Sequence, residues 1–436
     1  MTAVIASNGQ APLLADAGPW VERTLARFHA HYLGDHGLIV TTIDGDSGAI
    51  IDNEPLIADF GDVLPFLARF GDTAFALDQV ARARSRIGGG LYREADGGIR
   101  LFTNHDWLLG LIELHEMTGE QGFLDAAVDG AHAVLDGFER SGLLIDEAPS
   151  LRRPRTLLQR SSGFNLGYVE LLVDLNALTG DARFIDAARR IAKAYAATDY
   201  FTAHGVFGTV FCSWSRAVDR LAANAAQMRS LLFKDNTNGA WSLLALYRAE
   251  PEPALRLAIE RWLAGFEACY WNGGDVQLWR DKSGARDVAL RAAFASLDLL
   301  CDLHLAGFEG RPIELATAIG DRWLGHQWAN GLFPEQPGRS GNHVDCNTDM
   351  TVSLMKLAGI TGEVRFAEAA RRSAQAVVGL HETDLGMVLS VDTTGMALDE
   401  RIIVKYQSLA LKLALLPADP AALIADTALI KLLRDR

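Results

Sequence analysis

One short junction is written four times into this chain of 436 residues: Phe70-Gly71-Asp72-Thr73-Ala74-Phe75, Thr118-Gly119-Glu120-Gln121-Gly122-Phe123, Thr179-Gly180-Asp181-Ala182-Arg183-Phe184 and Thr361-Gly362-Glu363-Val364-Arg365-Phe366. An apolar-periodic helix precedes each copy. In the last three a second helix opens as Leu124-Asp125-Ala126-Ala127, Ile185-Asp186-Ala187-Ala188 or Ala367-Glu368-Ala369-Ala370. The Gly suits the left-handed residue that ends a helix, the acid suits the positive start of the next, and the Phe can pack across the bend. One helical hairpin is therefore used over and over, and such a unit buries its apolar face only by stacking on its neighbours. The glycines recur at roughly 50–60 residues, with a gap of about three units between Gly180 and Gly362. Degenerate junctions near Glu250-Pro251 and at Glu309-Gly310-Arg311 fill that gap. The expected fold class is all-α: an (α/α)6 or (α/α)7 barrel or toroid of hairpins. It is expected as a single domain over residues 1–436, with 1–17 as a flexible N-terminal segment.

Composition narrows the function classes. Hydrophobic residues make up 49% and charged residues 22%, which supports a large core. No apolar run is long enough to span a bilayer. Met1-Thr2-Ala3-Val4-Ile5-Ala6-Ser7-Asn8 lacks the basic and apolar regions of a secretory signal, so the cytoplasm is the expected compartment. A net charge of −14 argues against nonspecific nucleic-acid binding. Cys212, Cys269, Cys301 and Cys346 show no C-x-x-C spacing and no partnering histidines, so reduced structural cysteines are expected and a zinc site is not. Gly88-Gly89-Gly90 lacks the strand-to-helix context of a nucleotide loop, and Asp44-Gly45-Asp46-Ser47-Gly48 lacks the ligand acid of a calcium loop. Neither a metal nor a cofactor is expected.

Helical periodicity places helices near 19–33, 53–70, 74–87, 104–118, 122–138, 163–179, 182–197, 236–249, 252–270, 287–307, 311–327, 347–361, 364–379, 402–416 and 419–434, with an extra stretch near 214–233. Each junction is tight, whereas the connection after the second helix is long. Gly37-Leu38-Ile39-Val40, Gly90-Leu91-Tyr92-Arg93, Val276-Gln277-Leu278-Trp279, Gly331-Leu332-Phe333-Pro334 and Gly386-Met387-Val388-Leu389-Ser390 punctuate these connections as short β-like pieces, so small β-hairpins are expected in the long loops at one rim. Seven helices follow long loops, and their positive N-termini would face a loop-built cup.

The residues at those helix starts are Asp52-Asn53-Glu54, Asn104-His105-Asp106-Trp107, Gly163-Phe164-Asn165, Asp235-Asn236-Thr237-Asn238, Arg286-Asp287 and Asp345-Cys346-Asn347-Thr348-Asp349. Capping accounts for a single Asp or Asn in each, but not for the surplus of polar groups. Tyr92, Trp107, Trp214, Trp241, Trp271, Trp279 and Phe333 lie in or beside long loops, where they can stack on sugar rings or fill the core. Arg152, Arg153, Arg155 and Arg160 flank Pro154, and Arg280, Lys282 and Arg286 occupy another loop. They can clamp an anionic sugar or pair with the acidic surface.

The repeated L-x-x-L-x-x-x-T-G-[DE]-x-x-[FY]-x-x-A-A hairpin, with its acidic and aromatic loops, resembles the α/α-toroid carbohydrate enzymes of the six-hairpin glycosidase-like group. That group includes unsaturated glucuronyl hydrolases, N-acylglucosamine 2-epimerases and several polysaccharide lyases. The resemblance implies a carbohydrate-active enzyme with an oligosaccharide or sugar as its partner. A glycoside hydrolase would use two carboxyl groups. Asp106, Asp235, Asp345 and Asp349 are the best choices, with Glu54 behind them; Asp106 is the first choice for the essential acid, with Asp235 or Asp349 as its partner. An epimerase would draw on His105 and His343, with His326 and His381 toward the same end. A lyase would use Asn165, Arg160, His105 and Tyr92. Trp107, Asn236, Trp241, Trp279 and His343 complete the expected sugar contacts. A non-catalytic helical scaffold that binds a partner is the alternative of a different class.

Overall fold

The computed structural model describes residues 11–213, 215–226, 230–280 and 288–434. Trp214, Lys282, Arg286 and Asp287 lie outside the described residues. Helix α1 (Ala17–Ala30) precedes paired helices: α2 (Phe60–Arg69) with α3 (Thr73–Ala83), α4 (Leu101–Thr118) with α5 (Gln121–Phe138), and α6 (Tyr168–Thr179) with α7 (Ala182–Ala196). Short helices α8 (Asp199–His204) and α9 (Arg216–Ala226) follow, then the pairs α10 (Thr237–Ala249) with α11 (Pro253–Cys269), α12 (Leu290–Leu305) with α13 (Arg311–Leu324), and α14 (Val344–Thr361) with α15 (Val364–His381). The chain ends in α16 (Val404–Ala410), α17 (Lys412–Leu415), α18 (Pro420–Ala425) and α19 (Thr427–Leu433). No described helix is long and apolar enough to cross a membrane.

The junction forms as its chemistry dictates. Gly119, Gly180 and Gly362 are left-handed, with φ of 71°, 69° and 72°. The preceding threonine does two jobs. Thr118, Thr179 and Thr361 donate to the carbonyl four residues back and accept the N–H of Glu120, Asp181 and Glu363. The phenylalanines that follow, Phe123, Phe184 and Phe366, are buried.

The described residues divide into two compact units. One comprises 11–84, 273–276 and 288–434; the other comprises 85–272 and 277–280. In the first, α14 packs against α12 and α15, and α16 packs against α2 and α14. A three-stranded antiparallel sheet, ordered Arg401–Ile403, Val40–Asp44, Ile50–Pro55, accompanies them. This sheet corrects two expected helix starts. Residues 50–55 and 401–403 pair through Thr42, Ile43 and Asp44 as strands, and the helices begin only afterwards. The N-terminal segment is also not loose throughout: Leu13 and Leu14 are buried, the Leu13 N–H donates to Leu416 O, and the Ala418 N–H donates to Ala11 O. In the second unit α6 packs against α7 and α10, and α4 against α5.

A second repeated device fixes four of the long loops to the helices that follow them. The Tyr92 N–H donates to Asn104 Oδ1, and Asn104 Nδ2–H donates back to Tyr92 O. Asn236 holds Phe207, Asn347 holds Phe333 and Gln407 holds Met387 in the same two-bonded way. Buried N–H and C=O groups need partners, and one side-chain amide supplies both. Just upstream a glycine lets the loop approach a helix closely. A Cβ on Gly331, whose φ is +100°, would stand 2.6 Å from Arg372 O of α15.

Buried charge reinforces the first unit. Lys356 of α14 bonds Asp298 and Asp302 of α12, all three almost fully buried. Replacing Asn347 by Ala should lower the unfolding free energy by about 2–4 kcal/mol, because the Phe333 N–H and C=O both lose a buried partner. Urea unfolding followed by circular dichroism measures this, and a wild-type midpoint would refute the clamp's role.

Candidate active site

In the unit of residues 85–272, the hairpin after α5 leads into Ile145-Asp146, and the loop before α10 ends at Asp235. Asp146 Oδ1 accepts the Ser162 N–H, the Ser162 hydroxyl and Asn165 Nδ2–H, at 2.8, 2.9 and 2.8 Å. Arg160 Nε lies 3.0 Å from Asp146 Oδ2. Four donors, one of them a guanidinium, favour the carboxylate, yet burial outweighs them and raises the Asp146 pKa.

Asp235 is less well supplied. Burial, and next the charge of Asp146, push its pKa up to about 7; Arg160 and the Phe164 N–H pull the other way. Burial favours the protonated form of both carboxyls, and Asp235 has fewer donors to offset it.

The backbone here is unusual. Lys234 and Gln159, neither of them glycine, are left-handed at φ +67° and +48°. Such residues cost of order 1–3 kcal/mol and cluster at functional sites. Lys234 Nζ lies 5.6 Å from the centre of the Phe102 ring. Phe102 is exposed and stands 4.8 Å from the buried Phe164 ring.

The expected residues are placed as follows. His105 Nδ1 and Asp106 Oδ1 are 3.1 Å apart, both groups are buried, and the imidazole packs edge-on against Phe164 and Tyr168. Asn165 and Arg160 both bond Asp146. Three expected sugar platforms are instead core: Tyr92, Trp107 and Trp241 are 2%, 3% and 2% exposed. Asn236 is fully buried in its clamp, with further bonds to Ser230, Leu231 and Tyr270. Trp279 is exposed, and Trp271 is half-buried.

In the unit that holds α14, Glu54 is exposed on a strand, so the expectation that it stands at a helix N-terminus is wrong. Phe333 is fully buried in its clamp. Asp349 is buried and bonded to Lys412 Nζ at 2.7 Å, an ion-pair environment. His343 Nδ1 lies 3.8 Å from Glu335 Oε2, and Arg291 Nε donates to Glu335 Oε1 at 3.0 Å. Asp345 is half-buried, and its Oδ1 is buried without a hydrogen-bond partner. His381, fully buried, directs Nδ1 at Val388 O, and burial lowers its pKa to about 4, so it is neutral.

Asp146, Glu335 and Phe102 escaped the sequence reading. A signal for the two acids was present: Gly90-Leu91-Tyr92-Arg93-Glu94, Gly142-Leu143-Leu144-Ile145-Asp146 and Gly331-Leu332-Phe333-Pro334-Glu335 share the pattern G-L-x-x-[DE]. Attention to helix starts passed over it.

A raised carboxyl pKa carries a sign. Native Asp235 keeps its proton up to about pH 7, whereas the unfolded chain releases it near the ordinary carboxyl value of 3.8, so its contribution to stability falls as pH rises between those values. Asp235→Asn should therefore be more stable than wild type at pH 8, on the order of 2 kcal/mol. The advantage should shrink as pH falls through 7 toward 4. Urea midpoints across pH 5–9 test this; a difference that does not change with pH would contradict it.

No protein-family model matches the chain, and no curated protein does. Solved structures do. An α-1,2-mannosidase from Trichoderma reesei superposes with a TM-score of 0.66 at 14% identity, over 93% of this chain and 91% of that one. A D-mannose isomerase gives 0.57 at 10% identity, over 91% and 95%. A cellobiose 2-epimerase from Bacillus thermoamylovorans gives 0.56 at 12% identity, over 96% and 100%. At such identities the likeness is one of fold, and the fold is the α/α toroid.

Proposed function

We propose that this protein is a carbohydrate-active enzyme, a glycoside hydrolase that uses Asp235 as general acid and Asp146 as its partner carboxylate. The carrying observation is the pair itself: burial raises both carboxyls, Asp235 to about 7, and four donors on Asp146 offset part of its rise, which suits Asp235 to the acid role. Glycosidic cleavage needs one carboxyl group that gives a proton to the leaving oxygen and a second that activates water or attacks carbon. Phe102 offers an exposed ring for a sugar face. The exposed Arg152 and Arg155 give the neighbouring loop the charge to accept a uronate. A cytoplasmic location and a single catalytic domain accompany this reading.

A second reading, sugar epimerisation or isomerisation, is supported by the buried His105–Asp106 pair, since His105 touches the same Phe164 whose N–H reaches Asp235. An imidazole held by a carboxylate can move a proton at a sugar carbon.

Mannose-, glucose- and unsaturated-uronate-terminated oligosaccharides should reveal the activity by release of reducing ends. Asp235→Asn and Asp146→Asn should each lower turnover by about 10²–10⁴-fold. Full turnover in both variants on every sugar the wild type processes would sink the assignment. The wild-type rate should fall as pH rises through about 7, as Asp235 loses its proton. Deuterium uptake from solvent at a sugar carbon without cleavage, lost in His105→Asn, would establish the second reading instead.

A further inference from the structure

We propose that Glu335, His343 and Cys346 form a binding site for a divalent transition metal of the zinc class. One ligand atom each of Glu335, His343 and Cys346 lies within 4.8 Å of the other two. Tetrahedral zinc takes nitrogen, oxygen and sulfur donors at about 2.0–2.3 Å, so ligand atoms around it stand roughly 3.3–3.8 Å apart. The His343–Glu335 separation of 3.8 Å already matches, and the thiol needs less than about an ångström of closure.

Free donor capacity points the same way. Glu335 Oε2 is buried and has no hydrogen-bond partner, while its other oxygen accepts from Arg291. Asp345, between His343 and Cys346 in the first turn of α14, has a buried Oδ1 that is likewise unpartnered. It stands outside the set of three ligands, so solvent would complete the coordination. A carboxylate held by a guanidinium on one oxygen and offering the other to a metal is the usual arrangement behind a ligand.

The backbone is fixed before any ion arrives. Asn347 Nδ2–H donates to His343 O, the His343 N-cap leads directly into α14, and the Glu335 N–H donates to Gly341 O. Charge also balances. Cys346 is buried beside Glu335. Metal binding breaks the S–H bond, releases that proton to solvent and forms a metal–sulfur bond. Three negative charges then face Arg291 and a dication, and the cluster is neutral.

Cobalt(II) titration of the metal-stripped full chain tests this, with metal content measured separately after zinc loading. One equivalent of Co²⁺ should give a thiolate-to-cobalt charge-transfer band that one equivalent of Zn²⁺ abolishes. Cys346→Ser should lose the band, His343→Ala should weaken binding more than 10-fold, and Arg291→Gln should weaken it by about 10–100-fold. Cys301→Ser, which alters a buried cysteine of α12, should leave band and affinity intact. Circular dichroism confirms that each variant is folded, and Glu335→Gln serves as the test where Cys346→Ser is not. Absence of a one-equivalent band in wild type, or unchanged affinity in folded His343→Ala and Glu335→Gln, would overturn the site.

Discussion

The amide clamp at the head of the inner helices is the interaction on which the rest depends. A helix that follows a loop of many residues has no local reason to begin at one position, and the loop has buried N–H and C=O groups to satisfy. Asn104, Asn236, Asn347 and Gln407 meet both needs with one group each, by taking two backbone bonds from a single buried loop residue. Loop and helix are thereby set in register. Residues on either side of the clamp inherit that register, which helps to set the positions of Asp235, His343 and Asp345.

Much of this was legible in the chain, and the limits of legibility were physical. Helix pairs and tight turns follow from T-G-[DE]-x-x-F, since each residue there acts within a few positions of itself. The strand at 401–403 was not legible, because it pairs with residues 42–44, more than three hundred positions upstream, and the strand at 50–55 pairs on the other edge of that same segment. Asn104, Asn236 and Asn347 were noticed as polar residues in surplus of capping, but their partners are backbone atoms 12 to 29 positions upstream, invisible to any local rule. Asp235 was legible as a candidate. Its raised pKa was not, since that comes from Asp146 and from burial supplied by other segments.

Buried charge takes two distinct forms in this protein. Lys356 with Asp298 and Asp302, and Lys412 with Asp349, are opposite charges matched inside the core. Removing one partner from such a pair is costly, whereas the pair as a whole adds little net stability. Asp146 and Asp235 are like charges near each other in buried surroundings, offset by Arg160 and by the Ser162 and Asn165 donors on Asp146. That arrangement lowers stability at neutral pH and has no packing rationale.

The clamp grips backbone atoms, so it is indifferent to the side chain it holds: Tyr92, Phe207, Phe333 and Met387 all fill the same seat. Two positions beyond stand Glu94, Thr209, Glu335 and Leu389, and Asp146 occupies the matching place after Leu144, whose carbonyl Asn165 holds. The scaffold thus works as a row of identical sockets into which different chemical heads are plugged. A substitution at the head can change what a socket does while leaving its fastening untouched, so this architecture can trade reactions without renegotiating its fold.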